Sequence, residues 1–252
     1  SEYFTPGPDY FSEVLDLPQK SVGVEKYVHL SAEQAPHHNG GFAEFCYIMP
    51  NSWILRLPDA LSDAEATTIN CGVATMAAVV DAAEIKLGDS VVIQGLGLLG
   101  IYGAALAKAR GAGKVIGLDI SAERRALALR FGVDVVLDPT TDGGVDAIRA
   151  LCQPAGADVV LEVCGDPAVL SAGIDALRTG GRYVLAGVVN PASNVTLDAN
   201  LILRKMLTLK GVHNYHPRHL VQAMEFVLAN HQRFPFHDLV EGKYRLDQID
   251  QA

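Results

Sequence analysis

Apolar positions in the middle of the chain fall into two alternating rhythms. Short unbroken runs, each opened by a turn signal, read as buried strands: Val91 onward, Val115–Leu118, Val133–Leu137, Asp158–Glu162, Arg182–Ala186 and Leu207–Lys210. Between them apolar residues return at helical spacing: Leu99–Arg110, Ala126–Phe131 ended by Gly132, Asp146–Leu151, Pro167–Leu177 stopped near Gly180-Gly181, and Ala199–Arg204. Strand–helix alternation implies parallel strands joined by right-handed crossovers. The predicted fold class is α/β, a doubly wound parallel sheet over residues 69–212 with strand order 3-2-1-4-5-6.

The flanks break this rhythm. Residues 1–68 are rich in prolines, aromatics and polar turns. Gly41–Ile48 alternates enough to be a strand, and Trp53–Leu57 reads as another, stopped by Pro58. This is the composition of a β-rich domain with too few strands to close its own core. Residues 213–252 offer one clear helix, about Pro217–Ala229, and a helix-like start at Tyr244–Asp247.

The candidate chemistry lies at the first strand. VVIQGLGLLG, Val91–Gly100, carries the spacing G-x-G-x-x-G between a strand and a helix. A second strand then ends on Asp119, about 20 residues further on, as a dinucleotide site requires. Gly95 would turn the chain sharply off the strand, Gly97 would leave room for a pyrophosphate, and Gly100 would let helix and sheet pack closely. The free N–H groups of the helix's first turn, at Leu98, Leu99 and Gly100, would face the phosphates. Asp119 would accept hydrogen bonds from the adenosine ribose and repel a 2′-phosphate, which favours NAD over NADP. Arg124 and Arg125 follow closely and leave room for some tolerance of NADP. The competing reading is an ordinary turn in an unrelated α/β protein.

Composition narrows the picture. The 252 residues suffice for a substantial core. Net charge is -9 and no basic block occurs, so nucleic acid is a poor partner. No uninterrupted apolar run is long enough to span a bilayer, and no secretory signal is visible at the start. Cys46, Cys71, Cys152 and Cys164 are scattered without a C-x-x-C pair, which fits a reducing, cytoplasmic setting.

Three blocks in collinear order, Gly40–Phe45, Asn70–Thr75 and Gly88–Asp119, resemble the zinc-dependent medium-chain alcohol dehydrogenases. The resemblance covers residues 40–212, and Leu17–Lys20 with Gly211–Tyr215 resemble a subgroup associated with phosphonate catabolism. It implies a GroES-like catalytic domain, here partial at residues 1–68, an NAD-binding Rossmann domain at 69–212, and a segment at 213–252 returning towards the catalytic domain. By the same resemblance Cys71 is a ligand of a catalytic zinc, and Gly187, Val188 and Val189 lie beside the nicotinamide ring. The family's other two zinc ligands, a cysteine and a histidine, would precede Ser1, so a longer native chain is expected. Its structural zinc is expected to be absent, because Gly7, Tyr10, Glu13 and Ser21 occupy the positions of that site's cysteines. Relatives pair through the edge strand, here Leu207–Lys210, which implies a homodimer or a dimer of dimers.

Several residues keep two readings. Cys71 is a soft thiolate for zinc or a small buried cysteine before a helix. Thr75 would share a helical face with it. Cys46, Cys152 and Cys164 read as core. His29, His37 and His38 are substitute ligands or solvated side chains, and His213 and His216 either approach substrate or cap a helix. Glu162 pairs with a basic group or touches bound cofactor indirectly. Three functions follow: an NAD- and zinc-dependent alcohol dehydrogenase acting on a small alcohol or carbonyl, a zinc-free quinone or enone reductase, and a non-catalytic NAD-binding relative. Cys71 counts against the second, which has no need of a thiolate there.

Overall fold

The computed structural model describes residues 44–45, 53–152, 154–190, 193–240 and 242–251. The residues predicted to build most of a β-rich domain, together with His29, His37, His38, Cys46 and the positions compared with a structural zinc site, lie outside that set.

In chain order the elements begin with a short helix α1 (Asp63–Ala66), a π-helical turn (Ile69–Val73) and α2 (Ala74–Ala82). The alternating region follows: β1 (Ser90–Gln94), α3 (Leu98–Ala109), β2 (Lys114–Leu118), α4 (Ala122–Ala128), β3 (Val135–Leu137), α5 (Gly144–Leu151), β4 (Ala157–Glu162), α6 (Val169–Ala176), β5 (Leu177–Leu185), α7 (Ala199–Arg204) and β6 (Thr208–Gly211). A long helix α8 (Pro217–Asn230) closes the packing. The six strands form one sheet in the order β3-β2-β1-β4-β5-β6, and every pairing is parallel. The predicted α/β doubly wound architecture therefore holds.

Alternation along the strands serves two cores, one on each face of the sheet. Val91 and Ile93 of β1 face Met76, Val79 and Tyr102, a layer completed by Phe226 and Phe236 near the chain's end. Val92 faces the opposite layer with Ile148, Leu170 and Ile174. Each such side chain, moved fully out of water, contributes roughly 1.5–3 kcal/mol. Tyr102 stacks on Phe236 with ring centroids 5.4 Å apart, which ties the tail to the helix behind the glycine turn.

Three expectations need correction. Trp53–Leu57 is not a strand: no pairing partner lies beside it among the described residues, and Trp53 and Ile54 are exposed. A helix stands inside the segment expected to be β-rich. Ser62 caps α1, its hydroxyl accepting from the N–H of Glu65 while the Glu65 carboxylate accepts the N–H of Ser62 at 2.9 Å. Finally, β5 starts earlier than Arg182. The ladder jumps from Ala157–Leu177 to Val159–Arg182, and the intervening residues bulge out around Gly180, whose φ is +73°.

Candidate functional site

The C-terminal ends of β1, β2, β4 and β5 meet where the strand order reverses, the place an open α/β sheet offers to a ligand. The three glycines after β1 differ sharply in their surroundings. Gly95 has φ +98°, and a Cβ there would lie 2.7 Å from the Cβ of Cys164. A Cβ on Gly100 would lie 1.9 Å from the carbonyl oxygen of Gly95, so any side chain would force α3 away from the turn. Gly97 has nothing within 4 Å of the same position. It is the N-cap residue of α3 and brings no side chain to the helix's first turn. Two glycines are jammed and the one between them opens onto space.

Asp119 closes the site on the β2 side. Its side chain is buried, with Oδ2 accepting the N–H of Leu96 at 2.8 Å and Oδ1 accepting the N–H of Ser121 at 2.8 Å. Each oxygen keeps a second lone-pair direction. The Arg124 guanidinium stands 3.8 Å from Oδ2 but is largely exposed, so its pull is screened. Arg125 turns away, donating to the Asp119 carbonyl and to Asp138.

On the other side Glu162 ends β4, fully buried. It meets backbone N–H groups rather than the basic side chain expected: Oε1 accepts from Gly165 at 2.7 Å and Oε2 from Gly187 at 3.0 Å. Gly187 opens the turn that continues through Val188 and Val189. Both valines line a cleft of about 800 Å³, together with His213, Tyr215 and His219.

Cys71 sits in the π turn that leads into α2, and it is exposed. The wide turn is closed by the Val73 N–H donating to the Thr68 carbonyl at 3.1 Å. Thr75 follows in α2, the regular helix that continues from this turn. The reading of Cys71 as a buried core residue fails, and so does that of Cys164, which is exposed beside Gly95. Cys152 is buried as expected.

Sequence reasoning missed Tyr215 in this role. Its hydroxyl donates to the Asn70 side-chain oxygen at 2.9 Å and also meets the Asn70 carbonyl, so the tail grips the residue next to Cys71. No local pattern signals a partner so distant in sequence. His216 takes the helix-capping alternative: its Nδ1 accepts the N–H of Arg218 at 3.1 Å at the start of α8. His219 accepts the N–H of His216 on Nδ1 at 3.0 Å, with Nε2 3.3 Å from Asp81. Burial, reinforced by the neighbouring Arg218 charge, lowers its pKa to about 4 despite the opposing pull of Asp81.

Metal fit can be judged from donors alone. A catalytic zinc takes three protein ligands, and among the described residues no three His, Cys, Asp or Glu side chains converge. Cys71 by itself does not make a zinc site. The dinucleotide fits better, because the open Gly97 position, the uncapped start of α3 and the Asp119 carboxylate lie along one edge of the sheet.

The geometry defines an α/β protein built on a doubly wound parallel sheet, and comparison with known proteins gives the family. A family model for zinc-binding dehydrogenases matches residues 98–229, more than half of the chain, and the chain belongs to that family. It is 35% identical over 184 residues to an L-threonine 3-dehydrogenase of Saccharopolyspora erythraea, a match covering 70% of this chain and 50% of that protein. Its fold superposes on an alcohol dehydrogenase from Thermotoga maritima with a TM-score of 0.85 at 28% identity, covering 96% of this chain and 68% of that one. An alcohol dehydrogenase zinc-binding domain protein from Burkholderia ambifaria superposes with a TM-score of 0.71 at 32% identity, covering 78% and 53%. The chain spans about half the length of the threonine dehydrogenases it matches. No described helix is long and apolar enough to cross a membrane.

Proposed function

We propose that this chain is the nucleotide-binding part of an NAD(H)-dependent oxidoreductase that interconverts a small alcohol and its aldehyde or ketone. The observation that carries the reading is the contrast at the glycine turn: Gly95 and Gly100 have no room for a Cβ, and Gly97 between them faces open space at an uncapped helix start. That combination supports a pyrophosphate lying against the N–H groups of Leu98, Leu99 and Gly100. Asp119 has a free lone-pair direction on each oxygen and would accept from the two ribose hydroxyls. Its charge would repel a 2′-phosphate, so NAD is the proposed cofactor.

The turn Gly187–Val188–Val189 would flank the nicotinamide ring, which, when bound, accepts or donates a hydride at C4. The apolar wall of Val188 and Val189 would keep water from that ring face and hold it square to the substrate carbon. The relatives named as alcohol dehydrogenases support an alcohol–carbonyl pair as substrate class. The narrower resemblance to a phosphonate-associated subgroup adds no constraint on that substrate.

Zinc dependence enters only as the family's expectation for Cys71, and no chemical step is assigned to it. The donor set among the described residues does not complete a zinc site, which leaves a second reading, a zinc-free quinone or enone reductase using the same nucleotide site. Fluorescence titration with NADH, elemental analysis, and turnover of a panel of alcohols and enones decide among these. Saturable NADH binding is expected, and its absence would overturn the proposal. Zinc at no more than one equivalent, lost in Cys71→Ala together with alcohol oxidation, supports the dehydrogenase. Metal-free turnover of an enone supports the reductase.

A further inference from the structure

Two turns leave the sheet side by side, 163–165 after β4 and 187–189 after β5, and they interlock at their glycines. A Cβ on Gly165 would lie 2.8 Å from the Gly187 carbonyl oxygen, and one on Gly187 would lie 2.6 Å from Glu162 Oε1 and 2.7 Å from the Gly165 nitrogen. The Glu162 carboxylate sits between them, fully buried, with one oxygen on each turn's N–H. An isolated buried carboxylate is costly, and a simple packing role would be filled more cheaply by an apolar side chain. Short charge-assisted bonds to two separate turns instead fix their mutual position.

That position matters for a dinucleotide. Asp119, just after β2, would take the adenosine end, and the glycine turn after β1 the pyrophosphate. A molecule continuing past the switch point must lay its other half over the ends of β4 and β5. We infer that Glu162 is a positioning residue for the nicotinamide half, holding the Gly187 turn at the height that this half requires. The inference rests on the proposed dinucleotide site.

Glu162→Gln tests it. The amide offers one acceptor where the carboxylate offers two. The Gly187 N–H already has the Glu162 carbonyl at 3.1 Å as a second acceptor, and no such alternative serves Gly165. The Gln oxygen therefore stays on Gly165, and its NH2 opposes the Gly187 N–H, donor against donor. NADH affinity should fall about tenfold, while ADP-ribose, which lacks the nicotinamide, should bind within about threefold of wild type. Faster hydrogen exchange at the Gly187 amide should accompany the loss. Glu162→Asp, which keeps the charge but shortens its reach to the two turns, should give the same split and decides the matter if Glu162→Gln does not fold. Parallel losses of NADH and ADP-ribose in the folded variant would reduce Glu162 to general scaffolding, and unchanged NADH affinity would remove its role altogether. A wild-type protein that binds neither ligand would instead overturn the dinucleotide site itself.

Discussion

The Asp119 carboxylate uses one lone-pair direction of each oxygen inside the protein, on the N–H groups of Leu96 and Ser121. Those internal bonds hold the charge in place before any ligand arrives, so a ribose would meet an acceptor already oriented. Hydrogen bonds to a charged group contribute about 1.5–3 kcal/mol each, and 1.4 kcal/mol is a factor of ten in affinity. Asp119→Ser should therefore weaken NADH by about tenfold or more, and it should narrow the gap to NADPH by removing the repulsion of the 2′-phosphate. Arg124, 3.8 Å away and exposed, already offsets a small part of that repulsion. Parallel titrations with both cofactors check the expectation, and a wild-type protein binding NADPH as tightly as NADH would contradict it.

At the scale of elements, the sequence disclosed most where local and tertiary demands agree. The strand–glycine–helix–strand–acid series was legible because two of its three glycines, Gly95 and Gly100, answer a steric need that only glycine meets. Boundaries failed where tertiary pairing decides. The bulge at Gly180 lets Leu177 rejoin the ladder ahead of Arg182, and nothing in the local pattern announces it. Trp53–Leu57 has a strand's composition and no partner strand beside it among the described residues. Ser62 with Glu65 was a readable capping box that periodicity alone passed over. The π turn at Cys71 and the grip of Tyr215 on Asn70 depend on contacts across the whole chain, and no spacing rule reaches them. The start of α8 carries its own pH dependence. Neutral His219 accepts the His216 N–H on Nδ1, and protonation would abolish that acceptor. Asp81 faces it as the favourable charge, with Arg218 and His216 opposing protonation. Because the folded pKa is lowered to about 4 from 6.5, the stability held by the neutral form is complete above about pH 6.5 and is lost as pH falls towards 4. Urea denaturation at pH 7 and pH 5 should show that loss, at about 1.4 kcal/mol per unit of pH at most. His219→Gln should flatten the difference, and an equal pH dependence in that variant would assign it elsewhere.

For the molecule as a whole, the two outermost strands of the sheet are β3 and β6, and they are not equivalent. The surroundings of β6 are apolar: Leu203 on α7 is 73% exposed and Met206 in the following turn is 69% exposed, with exposed Val189 and Val195 from the preceding loop. An edge of unpaired N–H and C=O groups beside exposed apolar side chains invites pairing with another chain unless something covers it. The usual devices against such pairing are sparse here, since β6 has only Lys210 as a charged residue and contains no proline. Two copies meeting edge to edge would extend the sheet and cover both rows of unpaired groups in a closed, two-fold arrangement. The expected assembly is therefore a homodimer, or a tetramer built from such dimers. Sedimentation velocity at micromolar concentration should show no dominant monomer. Leu203→Glu combined with Met206→Glu should shift the distribution to monomer without moving NADH affinity, because neither side chain belongs to the crevice. A wild-type protein that sediments as a clean monomer would show that this edge is covered in some other way.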